Sequence, residues 1–209
     1  MNRESVKGII EAISKEMSAN RDYLVELDQV NGDGDLGISM DDGYRAVVEF
    51  LKTAEEKDLG KLFMACGKVF NASAPSSLGT ITSFGFMGMA KALKGREEVS
   101  FEDAAGAMLA AVENIMVKAE SKIGEKTILD SLYPGARALV KYAPDPETAV
   151  MEAAKAAEEG AEATRQMRAV HGRAAYSAER SIGILDGGSV VGKLIFKGIA
   201  VYYGQRNKI

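Results

Sequence analysis

Apolar residues recur at intervals of three and four positions through most of this 209-residue chain. The first stripe is Val6, Ile9, Ile10, Ile13 and Met17, which is typical of an amphipathic helix with one buried face. A short helical segment follows around residues 23–27, leading into a loop. Comparable stripes predict helices from about residue 40, over 59–71, from about 76 to 93, from 101 onward, over 126–142, from 146 to about 170, and over 189–203.

Strand patterns are nearly missing from the sequence, since no useful length alternates apolar and polar residues, and only four prolines interrupt it. Ser100 is expected to cap a helix, with Glu102 and Asp103 in the first turn. Short connections favour antiparallel neighbours. We therefore expect an all-α fold: one domain, residues 1–209, built as a bundle or barrel of about eight antiparallel amphipathic helices.

Composition and charge indicate which partners the protein can bind and in which cellular compartment it is expected. The net charge of −4 offers no basic field for nucleic acid or an anionic membrane. No run is long enough to span a membrane, and the charged segment after Met1 lacks the apolar core of a signal peptide. The single cysteine, Cys66, lies in an apolar neighbourhood, which predicts a buried thiol in a reducing compartment. We expect a cytoplasmic protein.

Candidate chemistry concentrates in residues 27–37, LDQVNGDGDLG, where Asp28, Asp33 and Asp35 lie within eight positions. Neighbouring carboxylates repel one another, so a chain that gathers them usually binds a cation there. The interleaved glycines let the backbone turn tightly enough for the carboxylates to converge. Three hard oxygen ligands that leave a cation unsaturated suit Mg²⁺, which keeps waters and takes phosphate oxygens.

Two other interpretations of this loop were weighed. Asp and Gly also dominate ordinary turns and helix caps for local reasons. A calcium EF-hand counted from Asp28 requires a bidentate Glu at its twelfth position, where this chain has Ser39. The EF-hand hypothesis therefore fails, whereas a divalent-metal loop remains favoured over a plain turn.

Two further loops resemble phosphate-binding elements. Residues 73–80, SAPSSLGT, enter a predicted helix and could offer backbone N–H groups and hydroxyls to phosphate, or could be an ordinary serine-capped helix start. Residues 187–194, GGSVVGKL, nearly match a P-loop but carry Leu194 where the magnesium-binding hydroxyl belongs, and no strand precedes them. We reject the P-loop and expect a Gly-Gly turn that opens the last helix.

His171 is the only histidine of the chain. As a catalytic base it would need an orienting partner that the sequence does not reveal. We favour a capping or surface role near a helix end.

Taken in order, the aspartate loop, residues 124–130 (GEKTILD) and residues 172–183 (GRAAYSAERSIG) resemble one family closely. It is the nucleotide-binding L subunit of dihydroxyacetone kinase, also found as the C-terminal domain of ATP-dependent single-chain relatives. The resemblance spans nearly the whole chain. It implies a barrel of eight antiparallel amphipathic helices that holds a nucleotide, ADP or ATP, and two Mg²⁺ ions in the loops at one end.

The resemblance also implies roles for individual residues. Asp28, Asp33 and Asp35 would be the metal ligands and, with a phosphate-contacting Arg173, the catalytic set. The remaining nucleotide-contacting positions would be Leu36, Gly37, Ile38 and Ser39 at the start of a helix, Ala74, Ser76 and Ser77 in a second phosphate loop, Ala119 and Ile128 along the pocket, and Asp186, Gly187 and Gly188 near the base or ribose.

Two positions depart from the family pattern. Many relatives carry histidine or threonine directly after the third aspartate, where this chain has Leu36. The usual Gly-Gly-x-Ser-Gly loop is replaced by residues 73–77, with Ala74 in the place of the serine. Phosphate contacts at this loop would then come from the backbone or from Ser76 and Ser77.

By resemblance, the chain is expected to be a kinase subunit that transfers a phosphoryl group to dihydroxyacetone or a related small ketose. The ketose would be held by a histidine of a separate K-type subunit. The donor is ATP, or an M-type protein of the phosphotransferase system that rephosphorylates bound ADP. A homodimer is compatible with the pattern. The alternatives are a non-catalytic nucleotide-binding regulatory module of the same fold and a purely structural helical protein.

Overall fold

The fold was analysed in a computed structural model that describes residues 1–30 and 32–206. Nine α-helices run through the described residues: α1 (Arg3–Ala19), α2 (Arg21–Gln29), α3 (Leu36–Thr53), α4 (Leu59–Ser73), α5 (Ser77–Ala92), α6 (Phe101–Lys118), α7 (Leu129–Lys141), α8 (Pro146–Ala163) and α9 (Gly187–Arg206). The only β pairing in those ranges is an isolated bridge between Asn2 and Glu98. The expected all-α fold is confirmed. No helix in the described ranges has both the length and the apolar character needed to cross a membrane.

Polar side chains cap several helix starts, and the cap predicted at Ser100 is confirmed. The Ser100 hydroxyl accepts a hydrogen bond from the Asp103 N–H at 3.0 Å at the start of α6. Asp145 caps α8 in the same way through the Thr148 N–H, at 3.3 Å, and Pro146 occupies the first helical position, where its missing N–H costs nothing.

Eight of the helices close into a ring in which each contacts the next: α1, α3, α4, α5, α6, α7, α8, α9 and α1 again. The short α2 packs against α3. Helices α1 and α9 close the ring in antiparallel orientation, with Lys197 paired to Glu16 at 2.8 Å. Their backbones come close at Gly198, where a methyl group would lie 2.7 Å from the Ile13 Cα. The barrel therefore depends on the absence of a side chain at Gly198.

The antiparallel ring brings the first turns of α3, α5, α7 and α9 to the same end of the barrel. The Ser76 hydroxyl before α5 donates to the Ser39 hydroxyl of α3 at 3.1 Å. Gly187 at the start of α9 packs on Leu36 of α3, and the next residue of α9 lies beside Ile128, which precedes α7. Unpaired backbone N–H groups and the positive ends of helix dipoles thus converge at this end.

Aromatic side chains fill much of the barrel interior. The Phe70 ring makes an edge-to-face contact with Tyr44, centroids 5.0 Å apart, and lies 5.6 Å from Phe86. The Cys66 thiol is buried beside them in α4, as expected, and burial raises its pKa to about 12. A cavity of about 150 Å³, lined almost entirely by apolar side chains, remains along the axis.

Three predicted helix boundaries were wrong at the end of the barrel that carries the helix starts: the beginnings of α3 and α7 and the end of α8. Helix α3 begins at Leu36 rather than near Met40, because Leu36 is buried and extends the apolar stripe by one turn. Helix α8 ends at Ala163 rather than near Val170. There the Thr164 carbonyl accepts from a lysine side chain and from a tight 3₁₀ turn instead of continuing the helix.

Helix α7 begins at Leu129, three residues later than the predicted Lys126. The Asp130 carboxylate accepts hydrogen bonds from the backbone N–H groups of Gly124 at 2.6 Å and Thr127 at 2.7 Å. Asp130 therefore fixes residues 124–127 as a turn, with Lys126 at a positive φ of 60°.

We expect Phe70→Ala to lower the free energy of unfolding by about 3–5 kcal/mol, because it opens a cavity where the side chain is fully buried. Urea denaturation followed by helical circular dichroism measures the change. Val117→Ala is the control: that side chain is 74% exposed, so the change should stay within about 0.5 kcal/mol. Equal effects for the two variants would contradict this account of the core.

Candidate metal and phosphate site

Three aspartates converge where α2 passes into α3. Asp28 belongs to the last turn of α2, and Asp33 and Asp35 lie in the connection that follows. One carboxylate oxygen from each lies within 4.8 Å of the other two. Asp28 is half-buried, while Asp33 and Asp35 are exposed. The carboxylates predicted from the sequence therefore form one cluster that faces solvent.

Backbone contacts hold the loop in this shape. The Gly34 N–H donates to the Asp28 carboxylate at 2.8 Å, and the Gly32 N–H donates to the Asp28 carbonyl at 2.6 Å. Gly34 has a φ of +78°, a conformation that other residues rarely adopt. Asp35 occupies the position before α3 but makes no capping hydrogen bond to the helix. Its carboxylate is therefore left to face the cluster.

Mutual repulsion shapes the electrostatics of the cluster. Partial burial raises the pKa of Asp35, and the nearby charges of Asp33 and Asp28 raise it further. The guanidinium of Arg173 lies close to the cluster, with its Nη2 2.7 Å from Asp33 Oδ2. Both side chains of this pair are largely exposed, so the pair itself contributes little stability.

The donor set fits a magnesium ion. All three groups are hard carboxylate oxygens, they are close enough to share a cation after small side-chain rotations, and their exposure leaves positions for water or phosphate. Burial and then the charges of Asp33 and Asp28 raise the pKa of Asp35, and the nearby Arg173 only opposes that rise.

The serine loop lies beside this cluster, at the start of α5. The Ser76 hydroxyl accepts from the Gly79 N–H at 3.1 Å and donates to Ser39 of α3 at 3.1 Å. Ser77 is exposed, whereas Ala74 is completely buried in the core. The Ala74 side chain therefore serves packing, and Ser76 and Ser77 present the polar groups of this loop.

The start of α9 supplies another carboxyl group. Asp186 accepts from the Ser189 N–H at 2.6 Å and so caps this helix. Burial raises the pKa of Asp186 to about 7. The Ser189 hydrogen bond and the Lys126 charge oppose that rise, while the charges of Asp130 and Asp28 add to it. Asp186 is therefore a carboxyl group that can be protonated near neutral pH.

The remaining predicted pocket residues also lie at this end. A methyl group at Gly187 would collide with the Leu36 side chain, and one at Gly188 would lie 3.3 Å from the Ile128 nitrogen. Ile128 is buried, and Ala119 caps the C-terminus of α6. The departure at Leu36 thus has a structural explanation: this side chain packs under α9 rather than facing the carboxylates.

Residues 165–183, here named the Arg173 segment, connect α8 to α9 and carry Arg173 to the cluster. A 3₁₀ helix, Arg173–Ser181, forms its second half. Gly172 precedes this helix with a φ of +66°. The structure therefore brings together the aspartate loop and the third sequence motif, although they lie far apart along the chain.

Sequence reasoning missed the polar contacts that attach this segment. The Lys126 ammonium is buried and donates to main-chain carbonyls at the base of the segment. His171 Nε2 lies 2.6 Å from Glu125 Oε2, a contact that lowers the pKa of Glu125 to about 2. His171 is partly exposed, as expected, but lies beyond α8 rather than at a helix end. Because Glu125 and Lys126 are adjacent charged residues in a turn, nothing in the local sequence indicates which distant groups they contact.

The fold and site define a class of protein: an all-helical barrel that gathers carboxylates, an arginine and several helix N-termini at one end. The particular family follows from sequence comparison. The chain belongs to the DAK2 domain family, whose profile matches residues 30–201.

Several relatives match this chain over most of their own length. The ADP-binding subunit DhaL of PEP-dependent dihydroxyacetone kinase 1 from Listeria innocua is 33% identical over 177 residues, 85% of each chain. The corresponding ADP-binding subunit DhaL from Escherichia coli is 29% identical over 175 residues, 82% of this chain and 83% of that one. Both relatives are subunits of dihydroxyacetone kinases, which are phosphotransferases.

A solved structure shows the same fold. The crystal structure of the dihydroxyacetone kinase from C. freundii in complex with AMP-PNP and Mg²⁺ matches 94% of this chain with a TM-score of 0.74 and 22% identity. The match covers 33% of that longer protein. The expected helical barrel is thereby confirmed.

We expect Asp35→Asn to raise the melting temperature of the protein at neutral pH without divalent cations. The raised pKa means that folding favours the protonated carboxyl group, so ionised Asp35 destabilises the native state at pH values above its folded pKa. The advantage of the variant should disappear as the pH falls below about 3.9, where this carboxyl group is protonated in both states.

Differential scanning calorimetry across pH measures this difference. Asp42→Asn removes an exposed carboxylate from the same helix, α3, and is the matched control. A neutral-pH destabilisation by Asp35→Asn would show that repulsion does not dominate at this site.

Proposed function

We propose that this chain is the Mg²⁺-dependent nucleotide-binding subunit of a dihydroxyacetone kinase. Residues 1–209 would act as one L-type domain. It would transfer a phosphoryl group to dihydroxyacetone, or a related small ketose, held on a separate K-type subunit. The observation that carries the proposal is the 2.7 Å contact between Arg173 and Asp33, which unites a phosphate-binding cation with the carboxylate cluster. Family membership and the ADP-binding relatives support it.

Asp28, Asp33 and Asp35 would hold the metal, two ions by analogy with the family. Bound Mg²⁺ would neutralise charge on the nucleotide phosphates. The free protein keeps the loop in order through the Gly34 contact with Asp28, so the ligands need little reorganisation. The pair between Arg173 and Asp33 lies at the surface. The planar guanidinium of Arg173 can therefore exchange that carboxylate for a phosphate oxygen.

The surrounding helix starts would bind the nucleotide. Backbone N–H groups of Leu36, Gly37 and Ile38 in α3 and of Ser77 in α5 would face the phosphates at an end of the barrel that favours anions. The Ser39 and Ser76 N–H groups already donate to the Asp35 and Ala74 carbonyls, so these two residues would contribute their hydroxyls. Asp186, Gly187 and Gly188 at the start of α9 would lie near the base or ribose. Ala119 and Ile128 would complete the wall of the pocket.

Phosphoryl transfer needs positioning and charge neutralisation more than covalent help from the protein. This chain supplies carboxylates, a guanidinium and oriented N–H groups for that purpose. The ketose and the group that holds it would belong to the partner. The PEP-dependent names of the relatives favour ADP as the bound nucleotide and an M-type protein as the donor; ATP is the other donor.

A thermal-shift experiment tests the nucleotide site. At about 100 times the dissociation constant, ADP or ATP with Mg²⁺ should stabilise the wild type by about 2.7 kcal/mol, a rise in Tm of roughly 5–10 °C. Asp33→Ala should abolish the shift while the helical circular dichroism stays nearly unchanged. Asp42→Ala, which alters an exposed residue of α3, is the control and should keep the full shift. A folded wild type that shifts with neither nucleotide overturns the proposal.

A transfer assay separates the kinase from a regulatory nucleotide-binding module. Wild-type protein is mixed with a K-type subunit, dihydroxyacetone and either ATP or a phosphorylated M-type donor, and dihydroxyacetone phosphate is measured. The kinase forms product with one of the two donors, and Arg173→Ala slows it by about 10²-fold or more, as expected when a charge-stabilising group is removed. A module that merely binds gives a thermal shift but no product with either donor.

A further inference from the structure

The side chain of Lys126 is buried, with 6% of the residue exposed. Among the residues that the structure describes, no carboxylate lies within hydrogen-bonding distance of its ammonium. The ammonium instead donates three hydrogen bonds to main-chain carbonyls: Thr164 at 2.6 Å, Ser181 at 2.8 Å and Ile184 at 2.6 Å. An ammonium has three donors, so every one of them is used. Hydrogen bonds from charged donors are among the stronger ones in proteins.

These carbonyls lie at the two ends of one segment. Thr164 immediately precedes the Arg173 segment, while Ser181 and Ile184 lie at its end. The two ends of the segment are also joined directly, because the Gly183 N–H donates to the Arg165 carbonyl at 2.7 Å. One buried cation thus joins the chain leaving α8 to the chain entering α9, and the 3₁₀ helix with Arg173 lies between them.

Apolar packing does little to hold the segment. The side chains of Val170, Tyr176 and Ile182 are 52%, 95% and 50% exposed, and Ala169 and Ala178 are its buried apolar residues. A segment with so little buried apolar area is expected to open locally unless polar contacts restrain it. The Lys126 contacts are buried polar restraints at the two ends of the segment, and the Ala169 N–H adds another by donating to the Ser181 hydroxyl at 3.0 Å.

We propose that Lys126 is a positioning residue of the phosphate site: by binding the carbonyls of Thr164, Ser181 and Ile184, it fixes the Arg173 segment so that Arg173 faces the carboxylate cluster. The role given to Arg173 rests on the proposed function. The attachment itself is a property of the free protein and can be measured without nucleotide.

A second attachment distinguishes this role from general loop stability. His171 contacts Glu125 at 2.6 Å, and the Val170 N–H donates to the Glu125 carbonyl at 3.3 Å. This contact is closer to solvent, and it restrains the middle of the segment rather than its base. His171→Ala should therefore loosen the segment less than loss of the Lys126 ammonium.

Limited digestion with trypsin measures the attachment, because Arg168, Arg173 and Arg180 place cleavage sites within the segment. In Lys126→Met, which keeps the unbranched stem but removes the ammonium, cleavage at these sites should be about tenfold faster or more, as expected for losing hydrogen bonds from a charged donor. Lys193→Met is the matched control, since this lysine pairs with Glu158 at 2.7 Å between α8 and α9. It should be cleaved at the wild-type rate.

Chemical rescue tests the ammonium itself. Lys126 has a φ of 60°, which glycine adopts without strain, so Lys126→Gly removes the side chain while respecting the backbone. Added n-butylammonium, which replaces the deleted atoms, should slow cleavage again, whereas n-butanol should not. Should these variants fail to fold, Lys126→Arg is measured instead; its planar fork cannot reproduce a tripod of donors, and faster cleavage is again expected.

A double-mutant cycle connects the attachment to Arg173. Lys126→Met should weaken Mg·ADP binding by about as much as Arg173→Ala, and the double variant should bind no more weakly than Arg173→Ala alone. Additive losses would mean that Lys126 acts on binding independently of Arg173, and a role in stability alone predicts no loss of binding in the folded variant.

The possible failures are distinguishable. Unchanged cleavage in the folded Lys126 variants, equal rescue by n-butanol, or additive losses overturns the positioning role. A wild type that does not bind nucleotide overturns the proposed function and the role of Arg173 with it, whereas the cleavage results still decide whether Lys126 fixes the segment.

Discussion

Repulsion among Asp28, Asp33 and Asp35 is the constraint on which the functional end of this protein depends. The loop keeps these carboxylates together because the Gly34 N–H binds Asp28 and Arg173 pairs with Asp33. Burial raises the pKa of Asp35, the charges of Asp33 and Asp28 raise it further, and Arg173 opposes that rise. A cation bound at this anionic cluster would relieve part of the repulsion, and the affinity of such a site would draw on energy stored in the fold.

The ring of helices makes that arrangement possible. Because neighbours in the ring are antiparallel, four helices begin at the end where the aspartates lie, and their first turns present N–H groups and positive dipole ends. The site thus combines carboxylates for a cation with helix starts for anions. Close contacts such as Gly198 against Ile13 keep the helices in fixed positions. A rigid barrel can then carry loops whose own packing is weak.

Local sequence patterns predict the helices but not all of their ends. The stripe from Val6 to Met17 and the Ser100 cap are properties of a few neighbouring residues, and the structure confirms both. The predicted helix ends are wrong where side chains from elsewhere in the chain form hydrogen bonds with the main chain. Lys126 binds the Thr164 carbonyl beyond α8, and Asp130 fixes the turn before α7. No periodicity contains that information, because it depends on which loops become neighbours after folding.

The candidate site also has parts that the local sequence predicts and parts that depend on the folded structure. The three aspartates converge as predicted because they are close in sequence, and glycine permits the turn. Arg173 could be connected to them only through resemblance to a family, since local chemistry gives no reason for a distant arginine to reach Asp33.

The presence of leucine at position 36 is explained only by the structure. It lies next to the cluster in sequence, yet it packs against Gly187, where any larger residue would collide with it. A polar residue at position 36 would have to leave that contact or be buried in it. The departure from the family pattern therefore concerns how α3 and α9 pack, and it leaves the carboxylate ligands unchanged.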